Sequence, residues 1–185
     1  MVTRATKNAL TTRYSLLPYL YTLFYLAKVN ADTVARPLFF EFPGDKATYG
    51  PISETQFMWG PGFRIAPVTQ AGKTSVNVYL PKGRWYPYQS SFENEKPIES
   101  TGQSIVFKAP VDTINTFLRG GNVVPILPPK QTTTAMRKEK FTLVAVLDDN
   151  NHAHGQLYWD DGDSIDPVEN NAYSLISFEA TNVII

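Results

Sequence analysis

The chain holds only two histidines, His152 and His154, two residues apart in a polar stretch. Imidazoles serve as metal ligands or acid–base groups. No third ligand and no serine motif stands beside them, so they read as exposed turn residues. The run Asp160-Asp161-Gly162-Asp163 has the look of a calcium loop. Such a loop needs ligands at alternate positions and a glutamate at the twelfth. Counted from Asp160, the third position is Gly162 and the twelfth is Asn171. A tight acidic turn between strands, its aspartates bonded to their own backbone, accounts for the run more simply. Paired carboxylates hydrolyse glycosidic bonds when they stand about 5–5.5 Å apart in retaining enzymes, inside an enclosure that raises the acid's pKa. With 17 acidic residues some pair must lie close, so proximity by itself names none. Trp85, Tyr86 and Tyr88 form an aromatic strip. It offers either a sugar-stacking platform or the inner face of a half-buried strand, and the strand reading is favoured. No Gly-x-Ser-x-Gly, His-Glu-x-x-His, phosphate-loop or dinucleotide-binding motif occurs. The residues therefore name no catalytic, substrate-binding or metal position, and no cofactor.

Composition narrows the classes. Seventeen basic side chains balance 17 acidic ones, which removes the electrostatic case for nucleic acid or an anionic membrane as partner. The one basic run, Arg137-Lys138-Glu139-Lys140, reads as a solvated loop. With no cysteine there is no disulfide framework, thiol nucleophile or cysteine-ligated metal. A length of 185 residues allows one domain or two small ones and falls short of a complete (β/α)₈ barrel of about 250.

The elements that must position these groups come in two kinds. Leu10, Tyr14, Leu17, Tyr21, Phe24 and Lys28 recur at helical steps, with Leu16, Leu20 and Leu23 on the opposite side, which predicts a helix buried over most of its girth. Pro18 should kink it or open its straight part. Four tyrosines and a proline make it a poor signal sequence. The roughly 14 residues between Arg13 and Lys28 are too few for a membrane span of about 20. The apolar run Val34 to Phe42 predicts a strand buried on both faces, with Pro37 awkward inside it. Ser53-Glu54-Thr55-Gln56 has capping-box spacing and predicts a short helix Glu54 to Trp59, ended by Gly60-Pro61-Gly62.

From Phe63 the pattern is all β. Strands are expected over Phe63–Val68, Val76–Leu80, Arg84–Tyr88, Ser104–Lys108, Ile114–Leu118 and Val123–Leu127, with a polar stretch from Gln89 to Thr101. Pro128 to Arg137 reads as a linker. A second β segment opens at Phe141–Leu147, continues through Gly155–Trp159, and stops at Asn182–Ile185 inside a strand, as a truncated domain would.

Several of these segments, taken together, resemble family-31 glycoside hydrolases, in particular the animal α-glucosidases. Arg13 to Leu23 is similar to a late barrel helix of that family and Thr33 to Phe42 to its last barrel strand. Gln56-Phe57-Met58-Trp59-Gly60 and Ile65-Ala66-Pro67-Val68 resemble the exit into the C-terminal β domain. Asn77 to Tyr86 and Leu118-Arg119-Gly120-Gly121 continue that domain, and Gly155 to Gly162 resembles the opening of a distal one.

The resemblance implies a mainly β chain: a β-sandwich carrying an N-terminal helix–strand–helix remnant of a truncated (β/α)₈ barrel and the start of a second β domain. Residues 1–62 would belong to the barrel, 63–130 to the proximal sandwich, and 131–185 to the linker and distal domain. It further implies a retaining exo-acting α-glucosidase that removes terminal α-linked glucose from maltose- or glycogen-like oligosaccharides. One aspartate would attack the sugar and another act as acid and base. The family nucleophile lies in Trp-x-Asp-Met-Asn-Glu. Trp59, Trp85 and Trp159 are followed by Gly60-Pro61-Gly62, Tyr86-Pro87-Tyr88 and Asp160-Asp161-Gly162, and none matches. No catalytic or substrate-binding residue is carried over; these are expected upstream of Arg13, and the chain alone is expected to be inactive. The segment from Phe42 to Asp45 follows a strand's C-terminal end, where a barrel pocket is bordered. Apolar surface from Leu16 to Phe24 is expected to await the missing barrel. The resemblance implies a lysosomal, luminal or extracellular setting. A stand-alone carbohydrate-binding or structural β module is the alternative.

Overall fold

A residue alternation of two decides most of the architecture, because successive side chains of a strand point to opposite faces. The computed structural model describes residues 2–88 and 96–181. The chain opens with helices α1 (Val2–Ser15) and α2 (Leu17–Asn30), then strand β1 (Ala35–Arg36), the helical turn α3 (Leu38–Glu41), a 3₁₀ turn Lys46–Thr48 and α4 (Ile52–Thr55). Strands β2 (Phe57–Trp59), β3 (Phe63–Ala66), β4 (Ser75–Leu80), β5 (Gly83–Pro87), β6 (Ile98–Ser100), β7 (Gln103–Lys108), β8 (Asn115–Arg119) and β9 (Asn122–Ile126) follow. Helical turn α5 (Thr133–Met136) leads to β10 (Thr142–Val146), β11 (His152–Trp159) and β12 (Ser174–Thr181).

A six-stranded sheet runs β1-β2-β3-β8-β5-β6, a four-stranded sheet runs β10-β9-β11-β12, and β4 pairs with β7 as a ribbon. The six-stranded sheet is covered on both sides. On one face Met58, Ala66, Trp85 and Phe117 pack with Val78 and Leu80 of the ribbon. On the other, Phe63, Tyr88 and Leu118 pack with Leu16, Tyr19 and Leu23 at α2 and with Val124 and Val146 of the four-stranded sheet. Neighbours such as Phe63 and Ala66, or Phe117 and Leu118, thus serve opposite cores. The mainly β fold expected from the sequence is present. Its last expected segment, Asn182–Ile185, and part of the polar stretch, residues 89–95, lie outside the described residues. Strand β9 pairs antiparallel with β10 and parallel with β11 at Asn122 and His154, so backbone pairing runs across position 130.

Three local expectations are corrected. The run Val34–Phe42 is not a long strand of a parallel sheet: β1 spans two residues and pairs antiparallel with β2. Pro37 has no N–H for a ladder, and the chain turns there into α3. The helix expected over Glu54–Trp59 ends at Thr55, and 57–59 are strand. Gln56 is buried, and its side-chain amide donates to the Asn77 carbonyl at 2.7 Å, so it does not close a capping box. The long N-terminal helix breaks at Leu16, with Pro18 in the first turn of α2, a position that needs no proline N–H. Only one stripe of α2 is buried, and α1 buries nothing. Leu16, Tyr19 and Leu23 dock on the β layers, while Val2, Leu10, Tyr14, Phe24 and Val29 of the two helices are exposed.

Gly60 makes that docking possible. Its φ is +60°, and a Cβ there would lie 2.5 Å from a Leu23 methyl and 2.6 Å from the Tyr19 hydroxyl. The Tyr19 hydroxyl instead donates to the Trp59 carbonyl at 2.8 Å and accepts the Gly62 N–H at 3.2 Å.

Candidate functional site

A dense polar constellation is built around Asp160, which follows β11. This carboxylate is buried. Its Oδ2 accepts the hydroxyls of Tyr21 at 2.6 Å and Tyr158 at 2.8 Å, and its Oδ1 accepts the Gly162 N–H at 2.8 Å. Asp161 accepts the N–H groups of Asp163 at 3.0 Å and Ser164 at 2.9 Å and the Ser164 hydroxyl. These bonds hold its carboxyl at about 2, below the usual carboxylate range. The aspartates therefore bond their own backbone, as an acidic turn requires. Arg137 lies 3.9 Å above the Trp159 ring and donates to the Asp160 carbonyl. Beside it opens a groove of about 280 Å³, lined by Leu17, Leu20, Phe24, Leu127, Met136 and Trp159. Tyr25 stacks on Tyr158 at 4.4 Å between ring centres, and Tyr173 closes the cluster.

Asp160→Ala leaves two tyrosine hydroxyls and one N–H without their acceptor. Each buried orphan costs about 1–3 kcal/mol, and urea denaturation of the variant is expected to show a loss of roughly 3 kcal/mol. A midpoint unchanged from the parent would contradict this reading. Alkaline pH attacks the same bonds. Burial first, and then the hydrogen bond to Asp160, pushes the Tyr21 hydroxyl up to about 12; burial and then Asp45 do the same to Tyr79, also to about 12. An unfolded tyrosine ionises near 10. Both groups thus contribute stability in full below pH 10, and that contribution is lost as pH rises towards 12. The melting temperature is expected to fall across that window, and to fall less in a Tyr21→Phe variant.

The segment after the β1 strand carries a second node. Glu41 receives Arg36 Nη1 on one oxygen at 2.6 Å and Arg119 Nη1 on the other at 3.1 Å. Asp45 accepts the Tyr79 hydroxyl at 2.6 Å and the Ala47 N–H at 3.0 Å. The buried or half-buried carboxylates Glu41, Asp45 and Asp160 are thus spent on fixing loops to sheets.

The remaining sequence candidates separate. His152 Nε2 lies 2.8 Å from Glu179 Oε1 across the β11–β12 ladder, and the two imidazoles are 6.2 Å apart with His154 exposed. Among the described residues, no group of three potential ligands gathers around them. Trp85 is fully buried and donates its indole N–H to the Pro81 carbonyl at 2.8 Å. Tyr88 is buried, and half-buried Tyr86 donates to the Leu147 carbonyl at 3.0 Å. The strip is core, and no sugar reaches Trp85.

Sequence reasoning missed four participants. Arg137, read as solvated, is held by Trp159 and Asp160; its signal was its place at the C-terminal end of the short turn α5, whose cap Thr132 accepts the Ala135 N–H at 3.2 Å. Tyr158 meets Asp160 from two residues away, while Tyr21 comes from the other end of the chain, which no local pattern marks. Arg64 is fully buried in β3, and burial lowers its guanidinium to about 9; a lone charge inside an apolar run was the available sign.

Residues 31–124 match the C-terminal domain of glycosyl hydrolase family 31. Lysosomal alpha-glucosidase of Rattus norvegicus is 44% identical across 97% of this chain and 20% of its own length. Intestinal sucrase-isomaltase of Homo sapiens is 41% identical across 98% of this chain and 10% of its own. Among solved structures, a Flavobacterium johnsoniae GH31 dextranase complexed with glucose superimposes with a TM-score of 0.86 at 26% identity, over 97% of this chain and 21% of that one. The alpha subunit of glucosidase II gives 0.84 at 32% identity, over 94% and 18%. The chain belongs to glycosyl hydrolase family 31. Within that family it is a C-terminal domain of the kind found in α-glucosidase-like enzymes, and it spans about a fifth of the length of the lysosomal relatives. Among the described residues, no helix is long and apolar enough to cross a membrane.

Proposed function

We propose that these residues are the C-terminal scaffold of a retaining, exo-acting α-glucosidase that removes terminal α-linked glucose from maltose- or glycogen-like oligosaccharides. The observation that carries the reading is the mismatch of coverage: 97% of this chain aligns with only 20% of a lysosomal alpha-glucosidase. In this reading the nucleophilic aspartate and the acid/base lie in sequence outside the 185 residues. Residues 1–62 close the barrel, 63–130 form the sandwich packed beside it, and 131–185 open the distal domain. Glu41, clamped between Arg36 and Arg119, then ties the barrel's last connection to β8 without touching substrate. The working compartment is lysosomal, luminal or extracellular, as the names of the relatives suggest.

The 185 residues expressed alone are expected to turn over no chromogenic α-glucoside. Extending the reading frame upstream until it includes a Trp-x-Asp-Met-Asn-Glu stretch is expected to give turnover. Activity that stays with the purified 185-residue chain would overturn the proposal.

A further inference from the structure

Inside the sandwich lies a charge without a counter-charge. Arg64 is fully buried, in register between Met58 of β2 and Phe117 of β8, on the sheet face that the β4–β7 ribbon covers. A guanidinium brings five N–H donors and a permanent charge. Nη2 donates to Oε1 of Gln56, whose own amide is spent on the Asn77 carbonyl. Nε and Nη1 meet no acceptor among the described residues. Among the described residues no ion pair forms with Arg64, and the carboxylates of the loop after β1 are engaged elsewhere, Asp45 with Tyr79 and Glu41 with Arg36 and Arg119.

Two deficits follow, of acceptors and of negative charge. Water supplies acceptors alone, whereas an anion supplies both, and buried charges are retained only when paired. A close-packed interior leaves room for little. A multiply charged oxyanion would overcompensate the single positive charge and carry a larger dehydration cost. We propose that Arg64 holds a halide-class anion, chloride in ordinary media, between the six-stranded sheet and the β4–β7 ribbon, with Nε or Nη1 as donor. This site does not depend on the hydrolase reading.

The test compares thermal unfolding of the chain in sodium chloride and in sodium gluconate at equal ionic strength. The melting temperature is expected to rise saturably with chloride, by about 5 °C at saturation. Arg64→Met keeps much of the volume and removes the charge, so its chloride response is expected to be flat. Equal melting temperatures in the two salts overturn the proposal, as does an Arg64→Met response equal to the parent's. Should that variant not fold, anomalous diffraction from bromide-grown crystals of the unaltered chain decides. A peak within hydrogen-bonding reach of the Arg64 guanidinium supports the site, and no peak there overturns it.

Discussion

Gly155→Ala is expected to abolish the four-stranded sheet. A Cβ at Gly155 would sit 2.0 Å from the Val123 carbonyl oxygen and 2.8 Å from its carbonyl carbon. Those atoms are backbone, so no rotamer change clears them. Neither strand can retreat: β9 is pinned by its ladder with β10, which pairs Val123 with Ala145 and Val124 with Val144. On the far side β11 is zipped to β12 over eight register pairs from His152 to Trp159. Relief requires breaking one ladder, and the cost belongs with the rare substitutions above about 4 kcal/mol. Circular dichroism in a urea titration would read it as an unfolded or barely folded chain. Gly44→Ala supplies the control, since a Cβ there has nothing within 4 Å; it is expected to stay within about 0.5 kcal/mol of the parent. Equal midpoints for the two variants would mean that β9 and β11 do not approach as described.

Trp85→Ala is the second large effect. It empties the largest fully buried side chain from the core between the sheet and the β4–β7 ribbon. Truncations of this kind cost about 3–5 kcal/mol. The Pro81 carbonyl loses its indole donor as well. Trp85→Phe keeps most of the apolar volume and is expected to lose roughly 1–2 kcal/mol, mainly that hydrogen bond and some packing. A sugar platform would behave in the reverse way: Trp85→Ala would weaken oligosaccharide binding and leave the denaturation midpoint in place. Measuring both quantities on the same preparations separates the two roles.

The strands were legible where alternation was strong. Val76-Asn77-Val78-Tyr79-Leu80 lies within β4, and Ser104 to Lys108 within β7. Strand β6 escaped notice because three residues, Ile98 to Ser100, carry too short a pattern. The capping-box spacing at Ser53 and Gln56 misled for a tertiary reason. Gln56 satisfies Arg64 and Asn77, partners 8 and 21 residues away, and no local propensity competes with a buried guanidinium. The apolar run at Val34–Phe42 was judged by composition, while Pro37 decided its geometry. For the candidate site, the acidic turn at Asp160–Asp163 could be read from its residue types. The tyrosine that completes it from helix α2 could not, since Tyr21 reaches Asp160 over 139 residues of sequence. Family membership was the most legible property of all, because it rests on many short segments in order and tolerates errors in each.

Helix α2 is anchored to strand β11 by the backbone N–H of Tyr158, which the hydroxyl of Thr22 accepts at 3.0 Å across 136 residues. On a ribosome that separation becomes a delay. At about 5–20 residues per second, roughly ten seconds pass between synthesis of Thr22 and synthesis of its partner. Leu16, Tyr19 and Leu23 are only partly covered during that interval, because Phe63 and Tyr88 are made well before Leu118, Val124 and Val146. The α2 stripe is thus made well before most of its cover, which makes it a natural holding point for a chaperone during synthesis.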